Sequence, residues 1–152
     1  MTTKRKPKRM EGDVLCIPLE NQEFGFARVL KPPILAFYDL RNEAVLEVDK
    51  IVRAPIAFKL MVMDSPIKSG RWAVLGNVPL ESHLQASVTF FKQDAISKRH
   101  YLYVEGEEEL TDASECIGLE RAAVWSAEHV EDRLRDYFDG VPNKWTQSLE
   151  LK

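Results

Sequence analysis

Three histidines, His83, His100 and His129, are the residues with the most obvious capacity for chemistry. A zinc hydrolase needs three or four converging ligands, usually with local spacing such as HxH or HExxH, and these histidines show neither pattern. The chain also has no GxSxG nucleophile motif and no glycine-rich phosphate loop, while Cys16 lies in an apolar run. The sequence therefore predicts no catalytic residue, no metal and no cofactor, and it favours a protein that is not an enzyme.

Trp72, in the stretch GRWAVLGNVPL, and two aspartates are further candidates for a site. The Trp72 side chain is predicted either as a core aromatic packed under a Gly76-Asn77 turn or as the lining of a partner or ligand pocket. Asp13 and Asp39 stand at the ends of predicted strands. Asp39 follows two aromatic residues and could be a buried, hydrogen-bonded acid, whereas turn chemistry is the alternative for both.

Charge is distributed unevenly along the chain, although the net charge of the 152 residues is only −3. Residues 1–9 carry five Lys or Arg and no acid, and we predict a disordered basic tail over residues 1–10. A nucleic-acid arm is the alternative, but residues 10–152 carry sixteen bases against twenty-four acids, which disfavours phosphate binding. We therefore expect no nucleic-acid partner.

Acidic residues are concentrated in residues 105–139, which hold twelve acids against three arginines. Such a segment either forms a solvated surface or attracts a basic protein partner. Tyr101 and Tyr103 precede it and share one face of a predicted strand. The sequence thus predicts a partner-binding surface composed of Tyr101, Tyr103, Glu105, Glu107, Glu108, Glu109 and Asp112.

The elements that must position these residues are mostly strands. Apolar runs at 14–19, 24–30 and 34–40 are separated by polar breaks and predict an antiparallel hairpin extended into a meander. Both faces of the first run are apolar, so it should be buried on both sides. Gly25 inside a strand indicates a bulge or a close approach of backbones.

Further strands are predicted at 45–48, 56–63, 71–75, 88–92, 100–104 and 116–119, with EGEEE at 105–109 as a turn. One helix is predicted over 127–139. Ser126 is its N-cap and Gly140 ends it. Val130, Leu134, Tyr137 and Phe138 form the stripe that packs on the sheet, and Val130, Leu134 and Phe138 should be buried. Glu131 and Arg135 should pair on its wet side. The predicted fold class is α+β: a mostly antiparallel bent sheet or small barrel with one C-terminal helix, in a single domain over residues 11–152.

Cysteine use and hydropathy bear on the compartment. Cys16 and Cys116 form no CxxC motif and are predicted to be reduced, packed thiols. No apolar run approaches 18 residues, and Glu11-Gly12-Asp13 follows the basic N-terminus where a signal peptide needs its apolar core. We expect a cytoplasmic protein without a membrane partner.

Four motifs, EGDVLCIPL, FGFARVL, AFYDL and GRWAVLGNVPLE, resemble the immunity protein 26 family in their order and spacing, over about residues 8–92. The positions that fall on the family pattern are Asp13, Phe37, Tyr38, Asp39, Trp72, Gly76, Asn77 and Pro79. The resemblance implies an immunity protein of a bacterial polymorphic toxin system, which binds a cognate toxin and blocks its active site. The family is also tied by name to a small organophosphate-hydrolysing branch, so a phosphotriesterase-type hydrolase is the alternative.

Overall fold

The fold is a six-stranded sheet and a three-stranded sheet with helices packed around them, in a computed structural model that describes residues 8–152. The strands are β1 (Asp13–Pro18), β2 (Phe24–Val29), β3 (Ile34–Asn42), β4 (Ile56–Val62), β5 (Ala73–Asn77), β6 (Phe90–Gln93), β7 (His100–Val104), β8 (Glu107–Thr111) and β9 (Val124–Trp125). The strand order is β5-β1-β2-β3-β4-β9 in the large sheet and β6-β7-β8 in the small sheet. All strand pairs are antiparallel except β4 with β9, which confirms the predicted α+β class. The helices are α1 (Val48–Ile51), α2 (Ser65–Lys68), α3 (Ser82–Gln85), α4 (Ala113–Cys116), α5 (Ala127–Asp139) and α6 (Lys144–Ser148).

The predicted meander is present as β1, β2 and β3. The register of β2 against β3 shifts between Gly25 and Ala27, so Gly25 does mark a β-bulge. Strand β1 is buried on both faces, because apolar side chains that alternate along it enter two different cores.

The first core lies between the large sheet and the C-terminal helices. Leu15, Phe37 and Leu60 from the sheet pack there with Val130 and Leu134 of α5. The second core lies on the opposite face, where Val14, Phe26 and Tyr38 pack with Ile51 of α1. A smaller cluster beside it contains Leu30, Ala36 and Leu84 of α3.

Helix α5 begins and ends where the sequence predicts. The Ser126 side chain accepts a hydrogen bond from the backbone N–H of His129, and Gly140 adopts the left-handed conformation at φ 67°. Val130 and Leu134 are fully buried, but Phe138 is only partly buried at the margin of the first core. The prediction that Glu131 faces solvent and pairs with Arg135 is wrong: Glu131 is 6% exposed, and Arg135 pairs with Asp132 instead.

Several local predictions are wrong. Residues 45–48 do not form a strand, and the one-turn helix α1 begins at Val48. Residues 116–119 are likewise not a strand, because α4 ends at Cys116. Gly76 and Asn77 belong to β5 rather than to a turn. Only Glu105 and Gly106 of EGEEE form a turn, both with positive φ as in a two-residue type I′ hairpin, and the following glutamates belong to β8.

The remaining predictions concern the two cysteines, membrane-spanning helices and the basic tail. Cys16 and Cys116 are both buried free thiols, and burial raises the pKa of each. Among residues 8–152 there is no helix long and apolar enough to cross a membrane. Residues 1–7 of the predicted basic tail lie outside the described residues. Within the tail, Arg9 donates to the backbone oxygens of Val62 and Met63 and pairs with Asp64.

Candidate functional site

A fully buried arginine, Arg28 of β2, lies at the point where the four motifs meet. Its guanidinium carries five N–H donors, and each of them has an acceptor. Nε donates to the Gly12 carbonyl at 2.8 Å. Nη1 donates to the Tyr38 hydroxyl at 3.1 Å and to the Glu81 carboxylate at 3.0 Å. Nη2 donates to the carbonyls of Val78 and Pro79 at 2.5 and 2.9 Å.

This Arg28 cluster explains why the motifs occur together. Gly12 comes from the first motif, Arg28 from the second and Tyr38 from the third. The fourth supplies the two carbonyls and Glu81. The segment that leaves β5 therefore folds over the guanidinium and closes the second core.

Sequence reasoning missed Arg28 and Glu81. The signal that could have found Arg28 is its position as the lone charged residue in the apolar run FGFARVL, because an unpaired guanidinium is not buried in a strand core.

A second contact fixes β1 against β5 beside the Arg28 cluster. The buried Asp13 carboxylate accepts a hydrogen bond from Asn77 Nδ2 at 2.9 Å and one from the Met10 backbone N–H at 3.0 Å. Asn77 Nδ2 also donates to the Glu11 carbonyl at 3.0 Å. A Cβ on Gly76 would lie 3.3 Å from Val48 Cγ2, so glycine allows α1 to pack closely there. These family-pattern residues thus hold the backbone in place.

The Arg28 cluster has no unused donor with which to bind an anion or a substrate. Tyr38 is also buried, and burial raises the pKa of its hydroxyl, with the nearby Arg28 acting in the opposite direction. A neutral phenol that accepts from Arg28 suits a structural role. The chemistry available here is internal neutralisation rather than reaction with a ligand.

Trp72 lies in a further buried cluster, which attaches helix α5 to the large sheet. The residue is fully buried in the first core, which confirms the core interpretation, although it does not lie under a Gly76-Asn77 turn. Its indole Nε1 donates to Glu131 Oε2 at 2.8 Å. Arg71 Nε and Nη2 donate to the same carboxylate at 2.8 and 2.6 Å, and Arg71 also pairs with the more exposed Glu128. Glu131 is therefore buried because three donors compensate its charge.

Two other family-pattern residues, Phe37 and Asp39, lie two positions apart in β3 and differ in burial. Phe37 packs in the first core, with its ring 5.2 Å from that of Phe58 and edge-on to Trp72 at 6.3 Å. Asp39 is exposed in the middle of β3, so neither the buried acid nor the turn predicted for it is correct. Its backbone N–H donates to the Pro55 carbonyl where β3 and β4 shift register.

Most acids of the 105–139 segment do not form an acidic surface, because seven of the twelve have ion-pair partners. On α5, for example, Asp139 pairs with Arg41, and Arg133 holds Glu120 through two hydrogen bonds of 2.8 and 2.7 Å. Asp132 accepts from Trp145 Nε1 and pairs with Arg135, and these contacts lower its pKa. The helix is therefore far less acidic in effect than its sequence suggests.

Within the 105–139 segment, the acids without a partner lie on the small sheet and in the turn that follows it. Of the predicted partner-binding acids, Glu105 pairs with Lys31 at 3.3 Å and Glu108 with Lys92 at 2.6 Å. Within residues 8–152, Glu107, Glu109 and Asp112 have neither a salt bridge nor a side-chain hydrogen bond. Glu115, which is not among the residues predicted from the sequence, shares this property. The four unneutralised acids are Glu107, Glu109, Asp112 and Glu115, all of them exposed.

Tyr101 and Tyr103 lie half-buried on the middle strand of the same sheet and share one face, as predicted. Tyr101 is opposite Lys92 on one side and the exposed Leu110 on the other. Lys92 Nζ lies 4.4 Å from the ring centre of Tyr103, a cation–π contact. Within residues 8–152, strand β8 has a neighbour on one side only and is therefore a sheet edge.

Within the part of the chain that the structure describes, no three His, Cys, Asp or Glu side chains come together in a group that could hold a metal ion.

These observations define a class of protein: an α+β domain in which the four charged residues that are buried within residues 8–152, Asp13, Arg28, Glu131 and Arg133, are all hydrogen-bonded internally. The family model of immunity protein 26 matches residues 10–102, more than half of the chain, and the protein belongs to this family. No curated protein and no solved structure matches the chain. The matched residues include the whole Arg28 cluster, whereas β8, α4 and α5 follow them.

Proposed function

We propose that this protein binds a cognate toxin in the cytoplasm and neutralises it by covering the toxin's active site. The binding surface is the acidic edge, which we define as β8 and α4 with the preceding turn. Tyr101 and Tyr103 on the neighbouring strand supply aromatic contact area to this surface. The family name supports a toxin partner, and the position of the surface rests on the distribution of charge.

One observation carries the proposal: four exposed acids that lack partners within residues 8–152 lie close together, on an edge strand and in the turn after it. Glu107 and Glu109 lie on the same face of an edge strand, and Asp112 and Glu115 follow within the next turn. Four unneutralised carboxylates in nine residues produce a local negative potential. Many toxins that cleave nucleic acid have basic active sites, and such a potential would accelerate their encounter with this edge.

The hydrolase alternative has less support. It requires metal ligands or an activated nucleophile in a cleft. The cysteines are buried with raised pKa values, and the buried charged groups are committed to one another. No observation favours phosphotriester hydrolysis over partner binding.

The test uses the toxin domain encoded next to this gene, in a catalytically inactive form. Association is measured by stopped-flow at low and at physiological ionic strength. We compare the wild type with the variant E107Q/E109Q/D112N. Loss of three rim charges should slow association by about tenfold at low salt and flatten its salt dependence, with little change in the dissociation rate.

The matched control is the variant E43Q/E47Q/D49N. It removes three exposed acids of the same types, which also lack salt bridges within the described residues, from the segment around α1. Its association rate should remain close to that of the wild type. Equal slowing in both variants would show that only net charge matters, and the acidic edge would lose its assignment. A wild-type protein that neither binds this toxin nor protects cells from it would refute the function itself.

A further inference from the structure

A cleft of about 480 Å³ lies between the two sheets, next to the acidic edge. The turn between β2 and β3 forms one wall, and the segment from α3 to β6 forms another. The floor is apolar and is made by Leu30, Ile34, Met61, Leu84, Val88 and Phe90. This volume is within the range of small-ligand pockets and exceeds what one aliphatic side chain needs.

The charged groups at the cleft are two acids and one base. Glu11 and Glu105 both line it, and the only basic side chain among its described lining residues is Lys31. Lys31 Nζ lies 3.3 Å from Glu105 Oε1, and Ser87 Oγ donates to the same oxygen at 3.2 Å. The Lys31 and Glu105 side chains are 67% and 44% exposed, so this ion pair is weak and an incoming cation can replace Lys31.

The cleft is continuous with the acidic edge. Tyr103 and Glu105 belong to the predicted partner surface and also line the cleft, and Gly106 connects the cleft directly to Glu107. A partner attracted to β8 would therefore meet an apolar recess a few residues away.

We propose that this cleft is the anchor site for the toxin: it receives an aromatic or large aliphatic side chain of the toxin, flanked by a lysine or arginine that takes the place of Lys31 at Glu105. This inference rests on the proposed function and deepens it. Binding energy in protein interfaces concentrates in a few large side chains that fill pockets, with charges at the rim. The apolar floor suits the anchor and the two rim carboxylates suit its basic neighbour.

The experiment fills the cleft from an exposed position. Ser87 lines it and is exposed, so Ser87→Trp places a large side chain there without disturbing a packed residue. Affinity for the inactive toxin domain is measured by calorimetric titration. We expect Kd to rise by about tenfold or more, as occlusion of an anchor pocket should cause.

Two controls separate filling from other effects. Ser97→Trp is the same change at an exposed serine in the loop between β6 and β7, at the end of the small sheet opposite Glu105. Ser87→Ala leaves the cleft open but removes the hydroxyl. Ser97→Trp should bind within about twofold of the wild type, since it occupies no anchor pocket. Ser87→Ala measures what the hydroxyl alone contributes, and Ser87→Trp should weaken binding more than Ser87→Ala does. Thermal unfolding checks that Ser87→Trp is folded. If it is not, Gln85→Trp replaces it, because Gln85 is another exposed residue that lines the cleft.

The possible results distinguish the anchor-site proposal from the proposed toxin-binding function. Wild-type affinity in the Ser87→Trp and Gln85→Trp variants would overturn the anchor site and leave the proposed function standing. A changed oligomeric state with unchanged toxin affinity would assign the cleft to a second copy of this chain. Absence of toxin binding by the wild type would overturn both proposals together.

Discussion

The Arg28 cluster and the acidic edge both contain charged side chains, but they differ in whether those charges have partners within residues 8–152. Arg28 is fully buried, and every N–H of its guanidinium has an acceptor within the chain. Glu107 and Glu109 are exposed on an edge strand and make no such contact among the described residues. The buried charge of Arg28 therefore holds segments of the chain together, whereas the exposed carboxylates of the acidic edge are available to another molecule.

The two regions also lie in different parts of the chain. The Arg28 cluster lies wholly within residues 10–102, which the family model matches, and the acidic edge follows them. A buried charge constrains the fold, because removal of any partner leaves an uncompensated group in a low dielectric. An exposed charge constrains the fold little and can serve recognition.

The largest expected effect is on stability, from the buried arginine. Arg28→Met should reduce the free energy of unfolding by about 3–5 kcal/mol, because Tyr38, Glu81 and three carbonyls lose their donor. Arg28→Lys should recover little, since one ammonium cannot reach five acceptors arranged around a planar fork. Urea unfolding followed by tryptophan fluorescence measures both.

Arg99→Met is the control, because the Arg99 side chain is exposed and has no salt bridge within residues 8–152. It should change the free energy of unfolding by less than about 0.5 kcal/mol. If Arg28→Met were equally mild, the Arg28 cluster would not be what holds the four motifs together.

A somewhat smaller effect is expected when only the indole N–H is removed. Trp72→Phe keeps an aromatic ring but takes one donor from the buried Glu131, which should cost about 1–3 kcal/mol. Trp72→Ala also leaves a cavity and should cost about 3–5 kcal/mol. Trp145→Phe provides the comparison, because Trp145 donates to the more exposed Asp132 and should matter less.

The outcome for Trp72 bears directly on its role. Unchanged stability of Trp72→Ala together with lost toxin binding would place Trp72 in the interface rather than in the core. A Trp72→Phe variant as stable as the wild type would show that Arg71 alone compensates the Glu131 charge.

The smallest effect is expected at the acidic edge. The variant E107Q/E109Q/D112N should unfold at the same denaturant midpoint as the wild type, within about 0.5 kcal/mol, because surface charges without partners contribute little to stability. The measurement is the same urea titration. A loss comparable to that of Arg28→Met would mean that these acids support the fold, and the contrast between the two regions would fail.

Much of the fold could be predicted from the sequence, because its signals are local. Alternating apolar residues and polar breaks determine the β1-β2-β3 meander, and Ser126, Gly140 and the stripe containing Val130 and Leu134 determine α5. The weaker segments at 45–48 and 116–119 were misassigned, since short apolar runs do not distinguish a strand from a turn of helix.

The candidate site was less predictable, because it depends on which distant residues meet. The sequence alone determined the α+β class, the strand meander, the C-terminal helix and the excess of acids after residue 104. Only the tertiary structure decided which of those acids are neutralised, since Arg41, Arg71 and Lys31 come from segments far away in the chain. Only the tertiary structure, likewise, brought the four motifs onto Arg28. Local periodicity follows from backbone geometry, whereas the pairing of charges follows from packing in three dimensions.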